Sequence, residues 1–423
     1  MLRAFAIVTM LIPSVVFGQL PEGGDLPGQE ISRPLQPIVS PQAPAPAPLP
    51  STGTLEPDIP AAPRVEEILE RKGLPRSWSR YELLMWYPKA MPLPPLLTAA
   101  PTGAFPQLGG ASTTLLAGGQ SLDTPMSAGG RFVWGWAKDD GDWGWEMCYF
   151  FTGTRTARLG YDGRFRDVTL GRPVVDALAG IESVVPVSAV VAPGQFVATS
   201  TNRMTGWEVN GVWNLGISAT GYLNLVGGYR YFQNHEGVRL EQTTITNLGN
   251  GSSFWMNSAD QFDAHTRFHG GQIGLEFGRD WNRFFIEGVT KVAFGRSDEI
   301  VKIGGQTNFG TIGFPLTGAQ GGMLTSGPNA GRRENSAFAV LPEGSLRVGY
   351  RFRDRSRFYV GYNVIYLSDA VRAGDQIDRR IGFANVPANP VPMLAPLRGV
   401  PDTSFTRTDF WAQGLTLGLE WTY

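Results

Sequence analysis

Residues 410–423 read Phe-Trp-Ala-Gln-Gly-Leu-Thr-Leu-Gly-Leu-Glu-Trp-Thr-Tyr. Taken two by two, Leu415, Leu417, Leu419, Trp421 and Tyr423 make one face, and Gly414, Thr416, Gly418, Glu420 and Thr422 make the other. A β-strand sends successive side chains to opposite sides, so this segment is greasy on one face and small or polar on the other. A soluble sandwich would turn the greasy face toward a core. A membrane strand turns it toward lipid and sets aromatics at the boundary. The rest of the chain decides between them by repeating the pattern or failing to.

The beginning of the chain is of another kind. Arg3 precedes the apolar run Ala4–Phe17, and Gly18 closes a small-residue site with cleavage expected near Gln19, the order of a secretory signal. The run is shorter than the ~20 residues a spanning helix needs. Beyond it the chain is rich in Pro as far as Pro50 and cannot bury a core. Val65–Lys72 is expected to form a short helix stopped by Gly73 and Pro75. The expected organisation is a signal peptide over 1–18, a mostly disordered Pro-rich segment over 19–76, and one β domain over 77–423.

From Ser77 the alternation returns. Tyr81, Leu83, Met85 and Tyr87 oppose Arg80 and Glu82, and Phe132, Trp134 and Trp136 share one side. Trp145, Met147, Tyr149 and Phe151 alternate with Glu146, Cys148 and Phe150. Further strands are expected over 205–213, 222–231, 268–277, 284–294, 345–350 and 358–366. Tight turns at 139–142, 214–220, 279–282 and 353–356 take turns with long connections at 91–127, 163–194, 247–258, 304–333 and 372–404. About ten strands (8–14) with long and short connections in strict order predict an all-β, antiparallel, up-and-down transmembrane β-barrel. A sandwich fits the alternation but not that order. The expected location is a bacterial outer membrane, with both termini in the periplasm.

Partners follow from the location. They are membrane lipid, the barrel-assembly machinery, and peptidoglycan or another periplasmic partner reached by the Pro-rich segment. The last strand must pair with the first, around Arg80–Tyr87, to close the barrel. Leu419, Trp421 and Tyr423 are the expected assembly signal, since a terminal aromatic such as Tyr423 is what similar outer-membrane barrels present to that machinery.

Composition narrows the function. The 423 residues carry a net charge of −1, which makes no case for nucleic acid. Cys148 is the single cysteine, so neither a disulfide framework nor a cysteine metal pair is available, and no cofactor is expected. The chain holds 54 Gly and 24 Phe with only 17% charged residues, which fits twisted strands and boundary girdles. His265 and His269 stand four apart; on a strand that separates them by about 13 Å, too far to share a metal. With His235 they read as lumen or rim residues. No catalytic motif is visible, and the chain is read as a non-enzyme.

With the aromatic faces outward, the inner face carries Arg80, Glu82, Arg131, Glu146, Glu208, Arg230, Glu276, Glu287, Lys291, Arg347 and Glu420. A midplane Arg on the lipid side would cost ~2–4 kcal/mol, so these belong in the lumen. One reading is porin-like passive passage of small solutes or ions through a narrow polar lumen. The alternative is a side-chain-plugged structural or adhesive surface barrel acting through long external loops. Barrels of about eight strands are filled by side chains, and about ten strands lie near that limit.

Several stretches carry a resemblance. Tyr81-Glu-Leu-Leu-Met-Trp86, Pro94-Pro-Leu-Leu-Thr98, Gly206-Trp-Glu-Val-Asn210, Leu225–Tyr231, Phe268–Gly274, Lys291–Gly295, Tyr366–Asp378 and Trp411–Gly414 resemble the beta-barrel porin family numbered seven. Arg372-Ala-Gly-Asp-Gln-Ile-Asp378 is the most specific of them, and the family usually has Pro where this chain has Ala373. The resemblance implies an outer-membrane barrel. It implies little about cargo, since fold does not give function.

Overall fold

The computed structural model describes residues 73–122, 126–163, 168–188, 193–216, 220–248, 251–387, 400–402 and 405–423. The expected signal peptide and the helix at Val65–Lys72 lie outside them, as does the Pro-rich segment as far as residue 72. Ten antiparallel strands form one ring. They are β1 (Ser77–Pro88), β2 (Ser127–Ala137), β3 (Trp143–Thr152), β4 (Gly194–Asn214), β5 (Gly221–Asn247), β6 (Ser253–Trp281), β7 (Phe284–Thr311), β8 (Gly331–Arg353), β9 (Ser356–Val371) and β10 (Arg407–Thr422). Each pairs with its sequence neighbours. The ring closes where β10 meets β1, from Thr422 opposite Trp78 to Ala412 opposite Pro88.

The expected closure by the last strand is therefore what the sheet does, and it leaves no edge in the ring. The Tyr423 N–H extends the seam by donating to the Ser77 carbonyl at 2.8 Å. Gly418 faces inward on β10, where a Cβ would lie 2.2 Å from the Tyr359 ring. Position 418 is small because the Tyr359 ring of the neighbouring strand fills that space.

Short turns occupy one end of the ring. Asn282 and Arg283 join β6 to β7, with Asn282 at φ 55°, a left-handed conformation that Asn tolerates. The expected turn over 279–282 begins later than read, because Trp281 still pairs with Phe284.

The strands are longer than expected toward the other end. β5, β6 and β7 contain 27, 29 and 28 residues, against the ~9–11 needed to cross a membrane. Residues 304–311 and 331–333, expected in a loop, are strand, and the connection expected over 247–258 shrinks to 248–252. Arg155–Asp162 likewise continues β3 beside β4.

The extra length was missed because the alternation changes phase. On the lower part of β6, Ile273, Leu275 and Phe277 are exposed, while Gln272 is buried. On the upper part Phe262, Ala264 and Phe268 are buried, and Gln261 and Arg267 are exposed. The lower barrel is apolar outside and polar inside. The upper barrel is the reverse, as in a water-soluble protein.

Candidate functional site

Inward positions of the lower barrel form one ion-paired network. Arg131 Nη1 lies 3.3 Å from Glu82 Oε2, and its Nη2 lies 3.4 Å from Glu343 Oε1. Arg230 pairs with Glu343 and, at 2.8 Å, with Glu208. Lys291 Nζ reaches Glu208 at 2.5 Å, and Gln272 Nε2 donates to the same carboxylate at 2.9 Å. Nearer the turns, Arg80 pairs with Glu146, which also accepts the Trp78 indole N–H at 2.8 Å. Arg357 bridges Glu287 and Glu420, each at 2.7 Å, and Arg347 stands 3.7 Å from Glu287. The Tyr359 hydroxyl donates to Glu82 at 2.7 Å.

Of the eleven inner-face residues singled out, ten are buried, and Glu276 is half-buried at the turn end. That burial decides what the lumen can do. A residue lining a water-filled pore is exposed to water even though it faces inward. Here Arg131 is 5% exposed, Arg230 3% and Glu208 4%. A void of about 10 Å³ beside Arg131, Cys148 and Glu208 is no larger than a single water needs. The larger cavity, about 230 Å³, opens at the turn end between Leu74, Arg80, Glu276, Arg351, Arg357 and Glu420. It is lined by the turn-end ion pairs and does not reach Arg131, Glu208, Arg230 or Glu343.

Glu343, Arg357 and Tyr359 belong to the network but were missed in the sequence. Pro342 argues against a central strand, which hid Glu343; here Pro342 points outward beside Val292. Arg357 falls between the turn expected over 353–356 and the strand expected over 358–366 and belongs to neither.

Above the charges lies an apolar collar. Trp86, Phe150, Phe232 and Phe410 cross the lumen as a chain of rings 5.5, 6.3 and 6.2 Å apart. Arg131 sits 5.3 Å from the Trp86 ring, and Arg372 sits 5.5 Å from Phe410. Each guanidinium faces a π-cloud, a favourable placement when both are removed from water.

The upper interior is filled by the connections themselves. Leu93, Leu97, Leu170, Val174, Leu324 and Ile377 pack against Phe196, Leu240, Phe262 and Val301 of the wall. Two buried ion pairs anchor them. Arg172 meets Asp260 at 3.0 Å, and Asp260 also accepts the Leu324 N–H at 2.8 Å. Arg372 Nε meets Glu236 at 2.7 Å, and its Nη2 donates to the Lys89 carbonyl at 2.9 Å. The specific stretch 372–378 thus ties two long connections to the wall. Arg372 was quoted for resemblance alone, and nothing in its spacing announced a buried partner.

The three histidines are elsewhere. His235 and His265 stack on the outer wall with ring centroids 3.8 Å apart, and His269 lies 3.4 Å from Asp298. Their expected place in the lumen or at its rim is corrected: they face outward, above the lipid-facing band. Leu419, Trp421 and Tyr423 also face outward, with Trp421 edge-on to Tyr81 at 5.6 Å.

The model of the family described as "Putative beta barrel porin-7" matches residues 78–423, and the chain belongs to that family. Among solved structures it is similar to the outer membrane protease OmpT of Escherichia coli. That pair is 10% identical with a TM-score of 0.40, over 84% of this chain and 98% of that chain. The P. putida toluene transporter TodX is 9% identical with a TM-score of 0.20, over 83% of this chain and 90% of that one. A Pseudomonas aeruginosa FadL homologue is 7% identical with a TM-score of 0.21, over 82% and 90%. No curated protein matches. At these scores the architecture rests on the strand pairing and the family.

Proposed function

We propose that this member of the beta barrel porin-7 family is a closed outer-membrane barrel that acts through its external part in a structural or adhesive role. The observation that carries this reading is the burial of the lumen charges. Arg131, Glu208, Arg230 and Glu343 are each less than a tenth exposed, directly beneath the aromatic collar of Trp86, Phe150, Phe232 and Phe410. Passive passage of solutes or ions would require both layers to part. The external part, by contrast, is a rigid projection whose connections are pinned through Asp260 and Glu236.

The reading assigns no catalytic step. The histidines lie on the outer wall, His235 and His265 stacked on each other and His269 facing Asp298. The Pro-rich segment extends the reading into the periplasm, with peptidoglycan or another envelope component as its partner. Leu419, Trp421 and Tyr423 remain assigned to recognition by the assembly machinery.

The test is reconstitution of the full-length protein in planar bilayers, with folding checked by heat-shifted migration on a gel. The expected record is a barrel that inserts and stays silent at moderate voltage. A stable conducting state would overturn the reading in favour of passage through a narrow polar lumen.

A further inference from the structure

The outer wall just above the lipid-facing band is not uniform around the ring. On β4–β7 the row Trp207, Tyr231, His269 and Arg296 is the last to carry a paired set of outward aromatics. The next rows place Arg267 opposite Gln233 and Asp298, then Arg203 opposite His235, then Lys302 opposite Asp263. Arg203, Arg267 and Lys302 are exposed and make no ion pair among the described residues.

The neighbouring acids are otherwise engaged. Asp298 is held by Arg296 and the Ser336 hydroxyl, and Asp263 accepts from Gln261. Burial first, and then Arg203, lower the pKa of His235. Burial and the stacked His235 bring His265 down to about 4. His235 and His265 are therefore neutral, and the arginines and lysine carry the charge. On the opposite wall the cations near this level are neutralised: Lys89 pairs with Asp409 at 2.7 Å, and Arg407 with Asp369 at 2.9 Å.

One row below that of Tyr231, His269 and Arg296, on the side away from the cations, the wall has a gap. Gly271 lies between Tyr229 and Phe294 in the adjacent row. A Cβ built there meets no atom closer than 4.0 Å. The gap is a shallow apolar slot flanked by two rings and open toward lipid, with the row of Tyr231, His269 and Arg296 between it and the cations above.

We propose that this wall binds a phosphorylated lipid of the outer leaflet, with Arg203, Arg267 and Lys302 taking its phosphate groups and the Gly271 slot taking an acyl chain. Cations at a membrane surface attract anionic headgroups, and Arg presents a fork matched to phosphate oxygens. The occupant is a lipid rather than free phosphate because the cations and the apolar slot lie on one wall, two rows apart, a headgroup above and an acyl chain below. This rests on the lipid-facing band alone and holds whether the lumen is open or closed.

The test is native mass spectrometry of the full-length protein in detergent, titrated with diphosphoryl lipid A and with its dephosphorylated form. One or more diphosphoryl molecules should stay bound, and the dephosphorylated lipid should bind more weakly. The triple variant Arg203→Ala/Arg267→Ala/Lys302→Ala should lower affinity on the order of tenfold or more, with heat-shifted migration unchanged. Gly271→Phe, which leaves the cations in place, should also weaken binding by filling the slot. Equal binding of both lipids, or full binding by the triple variant, overturns the proposal. So does complete displacement of the lipid by inorganic phosphate.

Discussion

The lower and upper halves of the barrel run on the same long strands, β5, β6 and β7 above all, yet they are built inside out relative to each other. Below, the wall shows Leu83, Met147, Ile273 and Leu415 to lipid and encloses Arg131, Glu208, Arg230 and Glu343. Above, the wall shows Arg203, Arg239 and Lys302 to water and encloses Leu97, Leu170, Phe262 and Val301. The sheet does not change; the surroundings of its outer face do. What fills the interior depends on which part of the chain can reach it. Connections fold down into the upper half and bring apolar side chains with them. The lower half is filled by its own strands, and long Arg, Lys and Glu side chains span it from the wall.

The two fillings should fail differently. A buried ion network is about as stable as an apolar replacement of equal volume, but removing one partner leaves uncompensated charge, at about 3–5 kcal/mol. Glu343 is the sharpest place to test this, because Arg131, Arg230 and Lys291 all face it. Glu343→Ala is expected to cost about that much in urea unfolding of the refolded barrel. Glu343→Gln keeps the volume and should lose less. A loss under about 1 kcal/mol for the alanine variant would place the network among weak, exposed ion pairs.

The same division explains what the sequence made legible. The lower half follows a period of two with aromatic edges, so its strands, faces and closure could be read from segments such as Arg80–Tyr87 and Leu415–Tyr423. The upper half obeys the same period with the opposite sense. Phe262, His265 and Arg267 therefore fall unassigned between the connection expected over 247–258 and the strand expected from 268, although they are part of β6. Residues that act through distant contacts were invisible for a plainer reason. Arg372 meets Glu236, and Arg172 meets Asp260, across more than eighty positions of chain, and local pattern carries no record of such pairings.

Loss of packing in the upper half should stay local. Leu97, fully buried, lies in a connection rather than in the ring. Leu97→Ala is expected to destabilise its surroundings by about 2–4 kcal/mol through the lost transfer energy and the cavity left behind. Limited proteolysis should then cut the 88–127 connection faster, while heat-shifted migration of the barrel stays as in the parent. If migration changed together with proteolysis, the two halves would be one cooperative unit and the contrast between them would fail.

The smallest effect expected is one of pH, and it belongs to the upper half alone. Glu299 faces inward on β7, five residues beyond Phe294 and above the lipid-facing band, and it is fully buried. Asn335 donates to it at 3.3 Å. Burial first, and then the neighbouring Asp369 carboxylate, push its pKa up to about 7. An acid whose pKa is raised on folding holds its proton longer in the folded state than in the unfolded one. Stability is then greatest below the unfolded value and falls as pH rises toward about 7, where the folded group also ionises. Thermal unfolding followed from about pH 5 to pH 8 should show that decline, and Glu299→Gln should flatten it while raising the neutral-pH midpoint. A flat profile in the parent protein would mean that the upper interior tolerates a bare carboxylate. Its apolar filling would then exclude charge no better than the network below.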